Sequence, residues 1–235
     1  VEMARAMQQD YRIASTAKHF AIYSVGKGAR EGQARTDPQV TRHEVEAILL
    51  PPFKAAIKEA HILGVMSSYN DYDSVPVTGS RYWLTERLRN EFGFRGYVVS
   101  DSAAVEYLYN KHGVAADMKD AVRQSIEAGL NVKTNFTPPE DFVLPLRELV
   151  KEGKVSMKTL DDRVRDVLRV KFILGIFDHP YVEDANRAVQ IVNSAEHQQV
   201  ALRAAHESIV LLKNDHNALP LSKDIRSVAI IGPNA

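Results

Sequence analysis

Four short apolar runs, at about 13–22, 62–69, 96–101 and 129–134, alternate with longer stretches of helical spacing, at about 41–60, 80–92, 115–128 and 140–152. This alternation constrains the fold more than any other property of the chain. Strands separated by helices are joined by crossovers rather than hairpins, so they run parallel in a sheet covered on both faces. A further helix is predicted over about 156–174, with Ser156 as its N-cap, Leu160, Val164, Val167 and Leu168 on one face, and Gly175 at its stop. A complete eight-unit barrel needs about 250 residues, whereas these four units occupy the first three quarters of the chain. The simplest architecture is therefore α/β, the C-terminal half of a (β/α)8 TIM-like barrel that ends near Gly175.

Residues 1–175 read as part of that barrel and 176–194, with His179-Pro180 and irregular spacing, as a linker. Residues 195–235 read as the start of a second α/β sandwich domain. A helix over about 195–213 is broken at Leu219-Pro220-Leu221, and the run Ser227-Val228-Ala229-Ile230-Ile231-Gly232 is expected to be that domain's first strand. A lone buried strand needs neighbours, and the chain opens inside an expected helix, Val1 to Tyr11. The sequence reads as a piece of a longer protein.

Composition excludes several classes. At 45% hydrophobic residues, the 235-residue chain has material for a sizeable core. Thirty basic residues balance thirty acidic ones, and they are interspersed, so nucleic acid is not an expected partner. No apolar stretch approaches the roughly 20 residues needed to span a bilayer, and the start is no signal peptide. Without cysteine, disulfides and Cys-ligated zinc are excluded.

The chemistry gathers at strand ends. Gly96-Tyr97-Val98-Val99-Ser100-Asp101 is an apolar run that stops on one carboxylate. In a parallel barrel this is the lip where reacting residues collect. Asp101 reads equally as the N-cap of a helix starting near Ala103. The first strand holds Lys18 and His19, and the second ends in Met66-Ser67-Ser68-Tyr69-Asn70. Lys18 in an apolar strand needs an anion or acceptors, so it is expected to point into the barrel mouth. His19 alone reads as a structural histidine and Tyr69 alone as packing. With Asp101 they form a ring of donors around one carboxylate, which suits a polyhydroxylated ligand better than a metal or phosphate.

Four segments, Ala17-Lys18-His19-Phe20, Leu50-Pro51-Pro52-Phe53-Lys54-Ala55-Ala56-Ile57, Gly64-Val65-Met66-Ser67-Ser68-Tyr69-Asn70 and Phe94 to Asp101, resemble glycoside hydrolase family 3 in order and spacing. The later runs Ala205 to Asn214, Leu219-Pro220-Leu221 and Val228 to Pro233 are similar to that family's passage from barrel to sandwich domain. The resemblance implies a retaining β-glycosidase of β-glucosidase or β-xylosidase type, acting on oligosaccharides or other β-glycosides without metal or organic cofactor. It implies Asp101 as nucleophile, with Lys18, His19 and Tyr69 holding the sugar and Met66 lining the same subsite. A retaining enzyme needs a second acid about 5–5.5 Å from the nucleophile. The resemblance implies a glutamate of the second domain, outside this chain. Glu91, Glu106 and Glu127 are read instead as solvated helical charges. Family members that digest plant glycans are commonly exported, which implies a periplasmic or secreted protein.

Two positions depart from the family pattern. Ser102 stands where many members have Trp, and Asn131-Val132-Lys133-Thr134 replaces an Asp-Met-rich run. Asn135-Phe136-Thr137 fits a glycosylation triplet of the kind frequent by chance. The N-acetylglucosaminidase branch is disfavoured because no Asp-Ser-His element follows Lys18-His19. Two competing readings are an aldolase-like barrel with Lys18 as Schiff-base nucleophile and a carbohydrate-binding pseudoenzyme.

Overall fold

The computed structural model describes residues 1–25, 37–134 and 137–233. Asn135 and Phe136 of the glycosylation triplet lie outside the described residues. Two compact units divide the chain, Val1–Tyr181 and Val182–Ala235.

The first unit is α/β. Its sheet has three parallel strands in the order β1 (Thr16–Phe20), β2 (Gly64–Ser67) and β5 (Tyr97–Ser100), and a hairpin of β3 (Asp71–Tyr72) and β4 (Val75–Pro76) follows β2. Thr16, Gly64 and Tyr97 lie side by side in register. The Thr16 and Tyr97 hydroxyls hydrogen-bond at 2.8 Å, and a Cβ on Gly64 would come within 2.4 Å of Thr16 Oγ1. Only glycine fits between them. The expected fourth strand is reduced to a single parallel bridge, Val99 to Val132. Its polar residues have other partners: Asn131 Oδ1 accepts from Arg89 at 2.7 Å and from the Val98 amide at 2.8 Å, and Lys133 pairs with Glu106.

The crossovers follow the helical spacing. After α1 (Glu2–Met7) and β1, the chain runs through α2 (Arg42–Glu44), a π-type turn (Val45–Leu49) and α3 (Pro51–Lys58). Thr41 and Glu44 close a capping box at the start of α2. A helical segment with π-type pairing, Tyr82–Glu91, leads into β5, followed by α4 (Glu106–Asn110), α5 (Met118–Ala128), α6 (Glu140–Lys151) and α7 (Met157–Ile173). Ser156 caps α7 by accepting the Thr159 amide at 3.0 Å, and Gly175 takes a φ of 66° just beyond its end. Phe20, Val65, Leu84, Leu88, Val98, Leu108, Ile126 and Leu130 form the core between sheet and helices.

Arg89 ties this layer to the sheet. It donates to Gly96 O, Gly129 O and Asn131 Oδ1 and pairs with Asp166 at 3.1 Å. Burial lowers its pKa to about 10, partly offset by Asp166.

The second unit holds α8 (Arg187–Ile191) and α9 (Ala195–Ser208). The expected linker therefore contains a short helix, and α9 stops five residues before the expected end. The expected strand over Ser227–Gly232 pairs with no described segment, and Ile230 and Ile231 are exposed. An apolar run becomes a strand only when a neighbour receives its backbone groups. No helix among the described residues is long and apolar enough to cross a membrane.

Candidate active site

Parallel pairing brings the C-terminal ends of β1, β2 and β5 together, and with them His19, Ser67 and Asp101. The Asp101 amide donates to Ser67 O at 3.1 Å, and the Ser68 amide to Phe20 O at 2.8 Å. Ser67 and Ser68 are structural here. Ser67 Oγ shares a 2.8 Å hydrogen bond with Thr78, and Ser68 Oγ donates to Ala21 O at 3.0 Å.

The Asp101 side chain is nine-tenths buried and lies 3.2 Å from His19 Nε2 through Oδ2. That contact is close without being an aligned hydrogen bond, and Oδ2 has no other partner among the described residues. Oδ1 accepts the Ser102 amide at 2.8 Å. The capping alternative is not what the structure holds, because α4 begins at Glu106 with no side-chain cap. Asp101 therefore presents one anchored and one weakly engaged carboxylate oxygen at the lip of a parallel sheet. Such an oxygen can be shared with an incoming electrophile without first breaking a strong bond.

Of the other expected site residues, His19 reaches Asp101, whereas Lys18 does not pair with it. Lys18 is exposed and lines a cavity of about 530 Å3 with Met3, Met7, Ile48 and Phe53, whose lining includes neither Asp101 nor His19. In this structure Lys18 is thus not part of the expected ring of donors around Asp101. Met66 and Tyr69 are half-buried.

Sequence reasoning missed an aromatic row. His19 meets Tyr23 at a ring-centroid distance of 4.7 Å, Tyr23 meets Tyr69 at 5.9 Å, and Tyr69 meets Tyr107 at 5.7 Å. Rings this close support one another and offer apolar faces with polar tips. Tyr69 is further held by His112, whose Nε2 lies 2.9 Å from its carbonyl oxygen. Burial lowers the His112 pKa against the opposing pull of that carbonyl and of Asp71. Glu106 is not the solvated charge its helical position suggested: its Oε1 lies 2.7 Å from Lys133 Nζ. Glu91 and Glu127 do lie on helices in ion pairs with Arg87 and Arg123. Among the described residues no group of three or more His, Asp or Glu side chains is arranged to hold a metal ion.

The model of the glycosyl hydrolase family 3 N terminal domain matches residues 1–170. The chain belongs to glycosyl hydrolase family 3. It is 35% identical over 242 residues to a periplasmic beta-glucosidase of Salmonella typhimurium, covering 99% of this chain and 30% of that protein. A beta-xylosidase of Formosa agariphila is 32% identical over 228 residues, covering 95% of this chain and 31% of that one. Among solved structures, a beta-glucosidase variant from Listeria innocua in complex with laminaribiose superposes with a TM-score of 0.81 at 32% identity, over 94% of this chain and 29% of that chain. The family member described here thus spans less than a third of the length of these relatives.

Proposed function

We propose that this chain supplies the nucleophile side of a retaining β-glycosidase that removes terminal non-reducing β-D-glucosyl residues from oligosaccharides. The observation that carries this reading is Asp101: a buried carboxylate at a parallel-strand lip, with Oδ2 beside His19 and free of any aligned hydrogen bond. Asp101 attacks the anomeric carbon, the bond to the leaving oxygen breaks, and a glycosyl ester forms on the carboxylate. A second acid protonates the leaving oxygen, then takes a proton from the water that releases the sugar. That acid is a glutamate outside this chain. His19 and Tyr69 hold the sugar hydroxyls and Met66 lines the subsite; Lys18, which lines a separate cavity here, is assigned to the sugar on the family resemblance alone. The strands described here are the C-terminal half of a (β/α)8 barrel spanning residues 1–175, followed by a linker over 176–194 and the beginning of a sandwich domain.

A second reading, β-xylosidase, is supported by the xylosidase named among the relatives. A panel of aryl β-glucosides and β-xylosides assayed on the full-length protein separates the two. The reaction type is tested by Asp101→Gly with added azide. A small anion entering the vacated space yields the inverted α-glycosyl azide. Ordinary turnover by Asp101→Gly without azide overturns the nucleophile assignment.

A further inference from the structure

Lys133 Nζ lies 2.7 Å from Glu106 Oε1, with the two side chains only 3% and 17% exposed, and it also donates to Thr137 Oγ1 at 3.2 Å. Fold stability alone gives little reason for such a pair, since taking two charges out of water offsets much of their attraction and well-packed apolar residues often serve as well. What it joins is more informative. Glu106 opens α4, five residues beyond Asp101, and the intervening turn is closed by the Ala104 amide on Asp101 O at 3.1 Å and the Tyr107 amide on Ala103 O at 2.9 Å. Lys133 follows the residue that bridges Val99, and its neighbour Thr134 donates its amide to Ser100 Oγ at 3.0 Å. The ion pair thus fastens the turn that follows Asp101 to the segment bonded to the residue that precedes it.

We infer that Glu106 and Lys133 are a positioning pair that holds the Asp101 carboxylate in attacking geometry and keeps Tyr107 against Tyr69, without touching the sugar themselves. This inference rests on the reading of Asp101 as nucleophile. Displacing a reacting group by about 1 Å costs about 100-fold in rate. A pair that clamps both sides of the nucleophile therefore acts on rate more than on binding.

The test is the rate at which a 2-deoxy-2-fluoro glycoside with an activated leaving group traps the full-length enzyme. Replacing both partners at once, Glu106→Leu with Lys133→Met, leaves no buried charge unpaired. The expected result is a thermal midpoint close to native, an inhibitor dissociation constant within about threefold, and a trapping rate constant lower by about tenfold or more. Lys133→Arg, which keeps the charge, restores most of the rate. Should the double variant fail to fold, Glu106→Gln is read in the same assay and is expected to lose rate with binding retained. A native trapping rate in the folded double variant or in Glu106→Gln overturns the inference while leaving the nucleophile in place, whereas absence of label on Asp101 in the native enzyme overturns the reading beneath it.

Discussion

Replacing His19 by Ala removes the side chain whose Nε2 lies 3.2 Å from Asp101 Oδ2, and the size of the effect can be worked from the geometry. The contact is 3.2 Å long, with side-chain exposures of 15% and 10%. Removing one member of a well-formed buried pair costs about 3–5 kcal/mol, and a hydrogen bond to a charged group contributes about 1.5–3 kcal/mol. Here the contact is not aligned and Asp101 keeps the Ser102 amide, so the lower bracket applies. The lost edge contact with Tyr23 adds about 0.5–1.5 kcal/mol. Together these give about 2–4.5 kcal/mol in kcat/KM, a fall of about 30- to 2,000-fold. The assay is aryl β-glycoside hydrolysis by the full-length protein, with thermal unfolding measured alongside. His19→Gln, which keeps an N–H in that region, recovers part of the loss. A His19→Ala variant within about threefold of native kcat/KM would refute the claim that His19 conditions Asp101.

Other expectations follow from the same structure. Gly96→Ala would set a Cβ 2.0 Å from Leu63 O, the acceptor of the Tyr97 amide, and is expected to cost about 3 kcal/mol or more in urea unfolding, against about 1 kcal/mol for Gly93→Ala, where nothing lies within 4 Å. His112 has a lowered pKa in the fold, so the unfolded chain takes up its proton first. Stability attributable to it is fully present above about pH 6.5 and is lost as pH falls from there toward the folded pKa. His112→Gln should flatten that part of the Tm-versus-pH curve. Lys18→Ala, which breaks no ion pair among the described residues, should lower kcat/KM through sugar contact with little change in Tm; a collapse of Tm with normal turnover would assign Lys18 to structure.

The three paired strands were legible because each is a short apolar run flanked by turn residues, and a period of two survives translation into a sheet. The fourth was over-read: the apolar count around Leu130 and Val132 matches a strand, but Asn131 is held by Arg89 and the Val98 amide and Lys133 by Glu106, which leaves one bridge. The run Val228 to Ile231 is unpaired among the described residues, since composition gives a segment's preference but not the neighbour that satisfies its backbone. At the site, Asp101 stood out because a carboxylate ended an apolar run, and His19 because it lay on a strand. Glu106 was invisible, since a glutamate on a short helix looks the same in sequence whether it faces solvent or a buried lysine. The signal that could have found it was Lys133 itself, a strand-end lysine that needs an anion. Tyr23 and Tyr107 gave no signal, because ring rows form between elements distant in sequence.

The central claim is that Asp101 forms a covalent bond to the sugar. Incubating the full-length enzyme with a slow fluorinated glycoside, followed by proteolysis and mass spectrometry, tests it directly. The account predicts one added glycosyl group on the peptide containing Ser100-Asp101-Ser102, and none in Asp101→Asn, which retains measurable sugar binding because the amide keeps the shape but cannot attack. A label on any other residue, or ordinary turnover by Asp101→Asn, would contradict it.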